Sequence, residues 1–496
     1  MWRPERFAVS IPKKFSGAVP AGVTLIAMLL GIASAGCPSK DGRPGPQSPP
    51  APRTVILISV DTLRADRLGC YGYNRPTSPH LDALARESVL FANVFAQSAF
   101  TLVSHKSIFA AKYPYTLLHE AANADLKALT DLPEPHGFLV GTFRTIRAAA
   151  LARGMLEQGY KTAAFTDGVW MSQWFGFDRG FAAFDDSGGH LEQIVPRSLN
   201  WLTPNSRARV FLFLHTYDTH CPYVCREPFN SLFCHDHSGH VPLENRCNQV
   251  DLGNTPLMKM NLTERDVQAI SDHYDGGVAC ADADLGAFFD ALKALDLYNE
   301  ALLIVTSDHG ESLGEHRQIG HGGLYTEQLR VPLLFKFPAS WKITPRVFHE
   351  PVEMVDVAPT VLAACGAALA DDLDGRSLLP LIRANSWTRR FAVAQTTHEE
   401  GRDGITNPSK RALVIPGQWL LIRDARAESA ELYDLRADPA GLADVHGRTP
   451  EMTEKLADVL AAYDPKPTGR ELVMPDSERM SPELRRQLES LGYVGP

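Results

Sequence analysis

Three observations predict an α/β protein, with a sheet covered by helices on both sides and a small α+β unit after it. The apolar runs are short and continuous rather than alternating, helical patterns separate them, and beyond about residue 385 the pattern changes. The first run, residues 54–60 (TVILISV), has no polar face and reads as a strand covered on both sides. A helical pattern follows at 78–87. Residues 144–158 read as a helix before a strand at 162–165, and 210–214 (VFLFL) as a third strand. Residues 282–295 form the helix ahead of the strand 301–306 (ALLIVT), and 331–337 (VPLLFKF) is a further strand. In the last part, 412–415 and 419–422 flank Pro416-Gly417 and read as an antiparallel hairpin. Residues 431–435 can add a strand, and 450–463 a helix. No internal repeat is visible.

The bulk numbers narrow the class. A chain of 496 residues, 44% hydrophobic and 22% charged, is long enough for a large core plus a smaller second unit. A net charge of −9 argues against a nucleic-acid binder, which normally carries a basic excess. No obligate protein partner is evident. At the N-terminus, Arg3, Arg6, Lys13 and Lys14 precede the apolar run 23–33 (VTLIAMLLGIA). That run is short for a membrane span and suits an export signal over residues 1–36. Two cleavage readings stand side by side: an A-x-A site at Ala33-Ser34-Ala35, and lipidation at Cys37 after Ser34-Ala35-Gly36. The sequence favours the lipoprotein reading, with 37–52 as a Pro-rich tether, 53–385 as the catalytic domain and 386–496 as the C-terminal subdomain. Either cleavage places the protein outside the cytoplasm, in the periplasm or on the outer surface.

Export changes how the eight cysteines are read. Cys221, Cys225, Cys234 and Cys247 crowd together among His235, His237 and His240. Their spacing matches no standard zinc finger, so two disulfides stapling an inserted loop are expected, with connectivity open. Cys70, Cys280 and Cys365 read as small buried residues.

Chemistry gathers where strands end. Residues 54–60 run into Asp61, 210–214 into His215, Asp218 and His220, and 301–306 into Asp308 and His309. In open α/β sheets the binding crevice lies at the carboxyl ends of strands. One Asp after a strand usually caps the next helix, but three such strand ends make that reading weaker. His321, between glycines, is a further candidate. A mixed Asp/His set suits zinc or manganese rather than calcium, one or two ions per chain.

Several ordered motifs together carry a resemblance: ILISVDTLRADRLGCYGYNRPTSPHLDALA, HTYDTHCPY, YDGGVACADADLG, TSDHGESLGEH with GHGGLYTEQLRVPLLF, VDVAPTVLAACG and ELYDLRADP. They resemble the sulfatase branch of the alkaline phosphatase superfamily over residues 53–496. The resemblance implies a doubly wound, mixed but mostly parallel sheet sandwiched by helices, a smaller C-terminal α+β subdomain, and metal-assisted attack on a sulfur or phosphorus ester. It also gives SAFTLVSHKS a role. Where sulfatases carry C-x-P-S-R, whose Cys or Ser becomes formylglycine, Thr101 takes the nucleophile position, Val103 the Pro and His105 the Arg. Thr cannot become formylglycine. The Lys- and His-bearing sulfate-binding segment is replaced by Thr166-Asp167-Gly168, and a later Lys by His321. Phosphodiesterase-like members of the superfamily use Thr on a metal.

The resemblance therefore implies Thr101 as nucleophile on a metal held by Asp61, Asp308 and His309. Asp218, His220 and His321 hold a second metal in this reading, with His220 and His321 also catalytic. Arg64, His105 and Lys106 are candidates to contact the anionic ester, although Arg64 suits a structural salt bridge equally and Lys106 reads by default as a solvated surface lysine. Glu311 is placed to bond a ligand histidine, Arg330 to anchor its strand, and His215 and His316 to bond within the core. The expected activity is hydrolysis of a phosphate ester, first a diester. The alternatives are a sulfuric ester hydrolase without formylglycine, a transferase of lipid head-group phosphates, and a non-catalytic surface-binding descendant.

Overall fold

In chain order the strands of the main sheet are β1 (Thr54–Val60), β2 (Val89–Phe91), β3 (Lys161–Phe165), β4 (Ala183–Asp185), β5 (Val210–Thr216), β6 (Ala301–Thr306), β7 (Leu333–Lys336) and β8 (Arg346–Phe348). The computed structural model describes residues 49–117, 150–223, 225–234, 262–396 and 410–463. Across the sheet the order is β8-β2-β7-β6-β1-β5-β3-β4. The pairs among β6, β1, β5, β3 and β4 are parallel, and β7 runs antiparallel to both its neighbours. The fully apolar β1, with no side to offer water, sits between β6 and β5 with every residue buried.

The alternation of β1 sorts the two cores. Val55 and Leu57 join a cluster containing α2 (Thr101–Ala110), α3 (Ala150–Glu157) and α6 (Val357–Ala364). Ile56, Ile58 and Val60 join another with α1 (Pro79–Ala85), α4 (His190–Asn205) and α5 (Glu264–Ala294). Each fully buried aliphatic side chain here contributes about 1.5–3 kcal/mol. The C-terminal sheet is antiparallel, in the order β9 (Ala392–Gln395), β10 (Lys410–Ile415), β11 (Trp419–Asp424), β12 (Ser429–Asp434). One face of it packs on α7 (Pro450–Ala461) through Leu413, Leu421, Leu456 and Leu460. The other packs on Phe95 and Leu329. Buried Arg389, paired with Glu353 and Asp356, ties the segment entering this sheet to the main body.

Several expectations change. The helix read at 282–295 begins at Glu264, where Thr263 and Asp266 form a reciprocal capping box. The short strands β2, β4 and β8 and helix α4, which contains Pro196 and Pro204, were not anticipated. Residues at the end of the expected tether are already fixed to the body: Trp341 Nε1 donates to Pro50 O at 2.9 Å, and the Tyr160 hydroxyl to Pro52 O. Cys280 is no isolated thiol but is bonded to Cys225, joining the segment after β5 to α5. Cys247, the export segment, Cys37 and residues 144–149 lie outside the described residues. Among the described residues no helix is long and apolar enough to cross a membrane.

Candidate active site

Strand register builds the floor of the site. Ser59 of β1 stands opposite Thr306 of β6, so two residues further on Asp61 and Asp308 emerge side by side. Helix α2 brings Thr101, its first residue, to the same place. The Thr101 hydroxyl is 3.4 Å from His309 Nε2, and both residues are fully buried. Short hydrogen bonds hold the turn that carries these groups. Ser104 Oγ donates to Asp308 O at 2.7 Å, Ser307 Oγ to His309 O at 2.6 Å, and Leu63 N to Ser307 Oγ at 2.9 Å. Thr62, next to Asp61, is held at φ 57°, an arrangement that costs a β-branched residue about 1–3 kcal/mol. Its carbonyl receives the Tyr274 hydroxyl at 2.7 Å, and its N–H reaches Asp308 Oδ1 at 3.3 Å.

Donor atoms of Asp61, Asp308 and His309 all lie within 4.8 Å of one another. Oδ1 of Asp61 and Oδ2 of Asp308 accept no hydrogen bond among the described residues, although both are buried. His309 Nδ1 donates to Gly310 O at 3.0 Å, which leaves the Nε2 lone pair facing the carboxylates. Two carboxylates and one imidazole are a fitting set for a divalent transition metal. Burial, and then the neighbouring charge of Asp308, hold the Asp61 carboxyl well above its ordinary range. A bound cation would relieve both effects.

His220 and His321 form a second feature. The Nδ1 of His220 donates to Cys221 O, and that of His321 to Ala99 O at 3.0 Å. Their two Nε2 atoms, which carry the lone pairs, converge 3.1 Å apart. The His321 ring lies 4.4 Å from that of His309, centroid to centroid, so the pair adjoins the cluster of Asp61, Asp308 and His309. Burial pushes His220 down to about 4 and His321 well below its ordinary value.

Other expected site residues have different positions. Asp218 does not join the His220–His321 pair. Its Oδ2 accepts Leu191 N at 2.9 Å and the Thr216 hydroxyl, so it caps α4 as the ordinary reading of a strand-end Asp would have it. His105 is not on the substrate side. It lies beneath the floor, donating to Thr101 O at 2.9 Å and touching Ser59 Oγ at 3.0 Å. Lys106 is neither solvated nor turned to the site: its ammonium donates to Phe175 O at 2.6 Å and lies 4.1 Å from the Phe177 ring centroid. The reason is that every residue of α2 is buried, so the helix has no solvent face for either side chain. Arg64 takes its structural alternative, paired with Asp66 at 2.7 Å and Glu315 at 2.8 Å. Glu311 sits by Tyr223 rather than on a ligand histidine, and burial pushes its carboxyl up to about 8. Arg330 donates to Ala92 O, and His316 stacks on Tyr325. His215, buried beneath the site, lies 3.3 Å from Asp61, which groups it with Asp61 and His105 as a further close-set donor cluster.

One group was missed in the sequence. Asp167, at the end of β3, accepts hydrogen bonds from the N–H groups of Gly189, His190 and Tyr217, and pairs with His190 Nδ1 at 2.9 Å. The signal was Gly188-Gly189 ahead of His190, all three with positive φ.

The sulfatase family model matches residues 53–367. The chain belongs to the sulfatase family. A model of the N-sulphoglucosamine sulphohydrolase C-terminal region matches residues 314–463 of this family member. Mouse arylsulfatase K is 35% identical over 202 residues, which cover 39% of this chain and 35% of the mouse protein. This chain therefore spans about a third of that relative's length. PehA of Trinickia caryophylli, a multifunctional alkaline phosphatase superfamily protein, is 29% identical over 401 residues, covering 66% of this chain and 77% of PehA. Among solved structures, the phosphonate monoester hydrolase of Agrobacterium radiobacter superposes with a TM-score of 0.64 at 19% identity, covering 83% of this chain and 95% of the other. That likeness shows the shared fold: a mostly parallel sheet between helices.

Proposed function

We propose that this protein is an exported, metal-dependent ester hydrolase whose Thr101 attacks a phosphate ester, first a diester. The observation that carries the reading is the Thr101 hydroxyl, set beside His309 at the N-terminus of a buried helix and over the paired carboxylates Asp61 and Asp308. Asp61, Asp308 and His309 would hold a divalent cation, whose Lewis acidity would make a threonine hydroxyl a competent nucleophile and offset the charge of the ester. The chain's own residues do the rest. Thr101 Oγ bonds to phosphorus as the bond to the leaving alcohol breaks. Its proton passes to the Nε2 atoms of His220 and His321, and from them to the leaving oxygen. Water then hydrolyses the phosphothreonine and restores Thr101. With a second cation bound there, the same Nε2 atoms would ligate it, without Asp218, in place of carrying the proton.

The cations that a dianionic ester needs are engaged elsewhere, Arg64 with Asp66 and Glu315 and Lys106 with Phe175. A monoanionic ester is thus the better fit. Phosphate diesters, phosphonate monoesters and sulfate monoesters all meet that condition. The phosphonate monoester hydrolase of Agrobacterium radiobacter, which shares this fold, is named for an ester of that kind. The match to a sulphohydrolase C-terminal model favours a sulfuric ester as the second reading. Purified protein with Zn²⁺ or Mn²⁺, assayed on aryl phosphodiester, phosphonate, phosphate monoester and sulfate, tests both. Diester turnover that disappears in Thr101→Ala supports the first reading, and sulfate turnover without any phosphorus ester turnover overturns it. The export signal over 1–36, the anchor at Cys37 and the boundary near 385 belong to the same proposal. Fatty-acid labelling lost in Cys37→Ala checks the anchor.

A further inference from the structure

A cavity of about 500 Å³ opens beside His220, the residue that also faces His321. It is of a size to take the alcohol part of an ester whose reacting atoms lie at Thr101. His190 stands on its wall, and the protein fixes that side chain with unusual care. Its backbone is left-handed at φ 53°, a conformation that few non-glycine residues adopt, and Asp167 grips both its N–H and its Nδ1. Asp167 in turn is anchored by Gly189 N and Tyr217 N, so the pair is built from two strand ends and a helix start. The Asp167 side chain is 7% exposed and that of His190 50% exposed, so the buried member orients the exposed one. With Nδ1 committed to Asp167, Nε2 is the nitrogen left for a ligand.

We propose that His190, held by Asp167, is a specificity-determining residue that donates from Nε2 to an oxygen of an uncharged, polyhydroxylated alcohol bound in this cavity. The inference rests on the hydrolase reading above and names the alcohol side of its substrate. Burial works against a charge on His190, but Asp167 and Asp218 raise it to about 9, so Nε2 carries its hydrogen near neutral pH. The remaining wall mixes acceptors and donors. Asp186 and Glu192 face the same space as Arg226, whose guanidinium is shared with Asp284 at 2.6 Å. Carboxylates exceed cations there, which disfavours a second anionic group on the ligand. Hydroxyls, which both give and accept hydrogen bonds, suit such a wall.

The test compares two esters with the same reacting group, one of a polyol and one of a simple aryl alcohol. His190→Ala is expected to lower kcat/KM on the polyol ester by about tenfold more than on the aryl ester, mainly through KM. His190→Gln, which keeps an N–H donor, recovers part of the difference. Calorimetric titration with methyl glucoside, which needs no turnover, is expected to show binding to the wild type weakened by about the same factor in His190→Ala. Equal losses on both esters would make His190 structural and overturn the inference, as would methyl glucoside binding unaffected by the substitution. A larger loss on an ester with an anionic alcohol would overturn the uncharged ligand. If no ester is turned over by the metal-loaded wild type, the hydrolase reading fails, and the titration still decides whether the cavity binds a polyol.

Discussion

Two carboxylate–imidazole clusters stand on the same edge of one sheet. After β1 and β6, Asp61 and Asp308 meet His309 with two buried carboxylate oxygens that accept no hydrogen bond among the described residues. After β3 and β5, Asp167 and Asp218 meet His190, and backbone N–H groups of Gly189, His190, Leu191 and Tyr217 supply their hydrogen bonds. Residue types and strand positions are alike, and the supply of amide donors is what differs. A carboxylate filled by amides is a cap and holds its surroundings still. One short of them, as where a single amide, Thr62 N–H, reaches Asp308 Oδ1, keeps lone pairs for a cation, at a cost to the metal-free fold.

Several substitutions break or sharpen that contrast. The largest effect is expected from Thr101→Ala, which should reduce ester turnover by about 10³-fold or more while leaving the circular dichroism spectrum unchanged. Asp61→Asn should abolish stoichiometric metal, measured by elemental analysis. It should also make the chelated protein more stable than chelated wild type by about 1–2 kcal/mol in denaturant unfolding, because it removes a carboxyl whose ionisation burial and Asp308 oppose in the fold. At the other cluster the sign reverses. Asp167→Ala should destabilise the protein by about 1–3 kcal/mol, since it strands the N–H groups of Gly189, His190 and Tyr217. A gain in stability there would erase the distinction between the clusters.

The smallest effect concerns pH. The folded-state pKa of His190, about 9, lies above the ordinary imidazole value of 6.5, so its contribution is complete below about pH 6.5 and fades as pH rises through about 9. Unfolding midpoints of wild type and His190→Gln should converge over that interval. Divergence at high pH would mean that the Asp167–His190 pair is not ionic.

The floor of the site was legible because it depends on strand ends. Once 54–60 and 301–306 are adjacent parallel strands, register alone puts Asp61 beside Asp308, and His309 follows. Thr101 was legible through the family's motif order. The misreadings of His105 and Lys106 share one physical cause: a ten-residue helix buried all round has no polar stripe, so its Ser, His and Lys look like loop chemistry. Asp218 was read as a ligand because sequence shows a carboxylate but not the amides of Gly189 to Leu191 that would come to meet it or its neighbour. The Cys225–Cys280 bond spans 55 residues, and nothing in local spacing could have chosen it over the nearer cysteines.

Helix α2 begins at Thr101, the proposed nucleophile, and is enclosed along its whole length. The scaffold around the Thr101 hydroxyl is thus fixed by a helix whose every residue is buried. An exchange of the first side chain, threonine for another nucleophile, asks for no movement of the backbone.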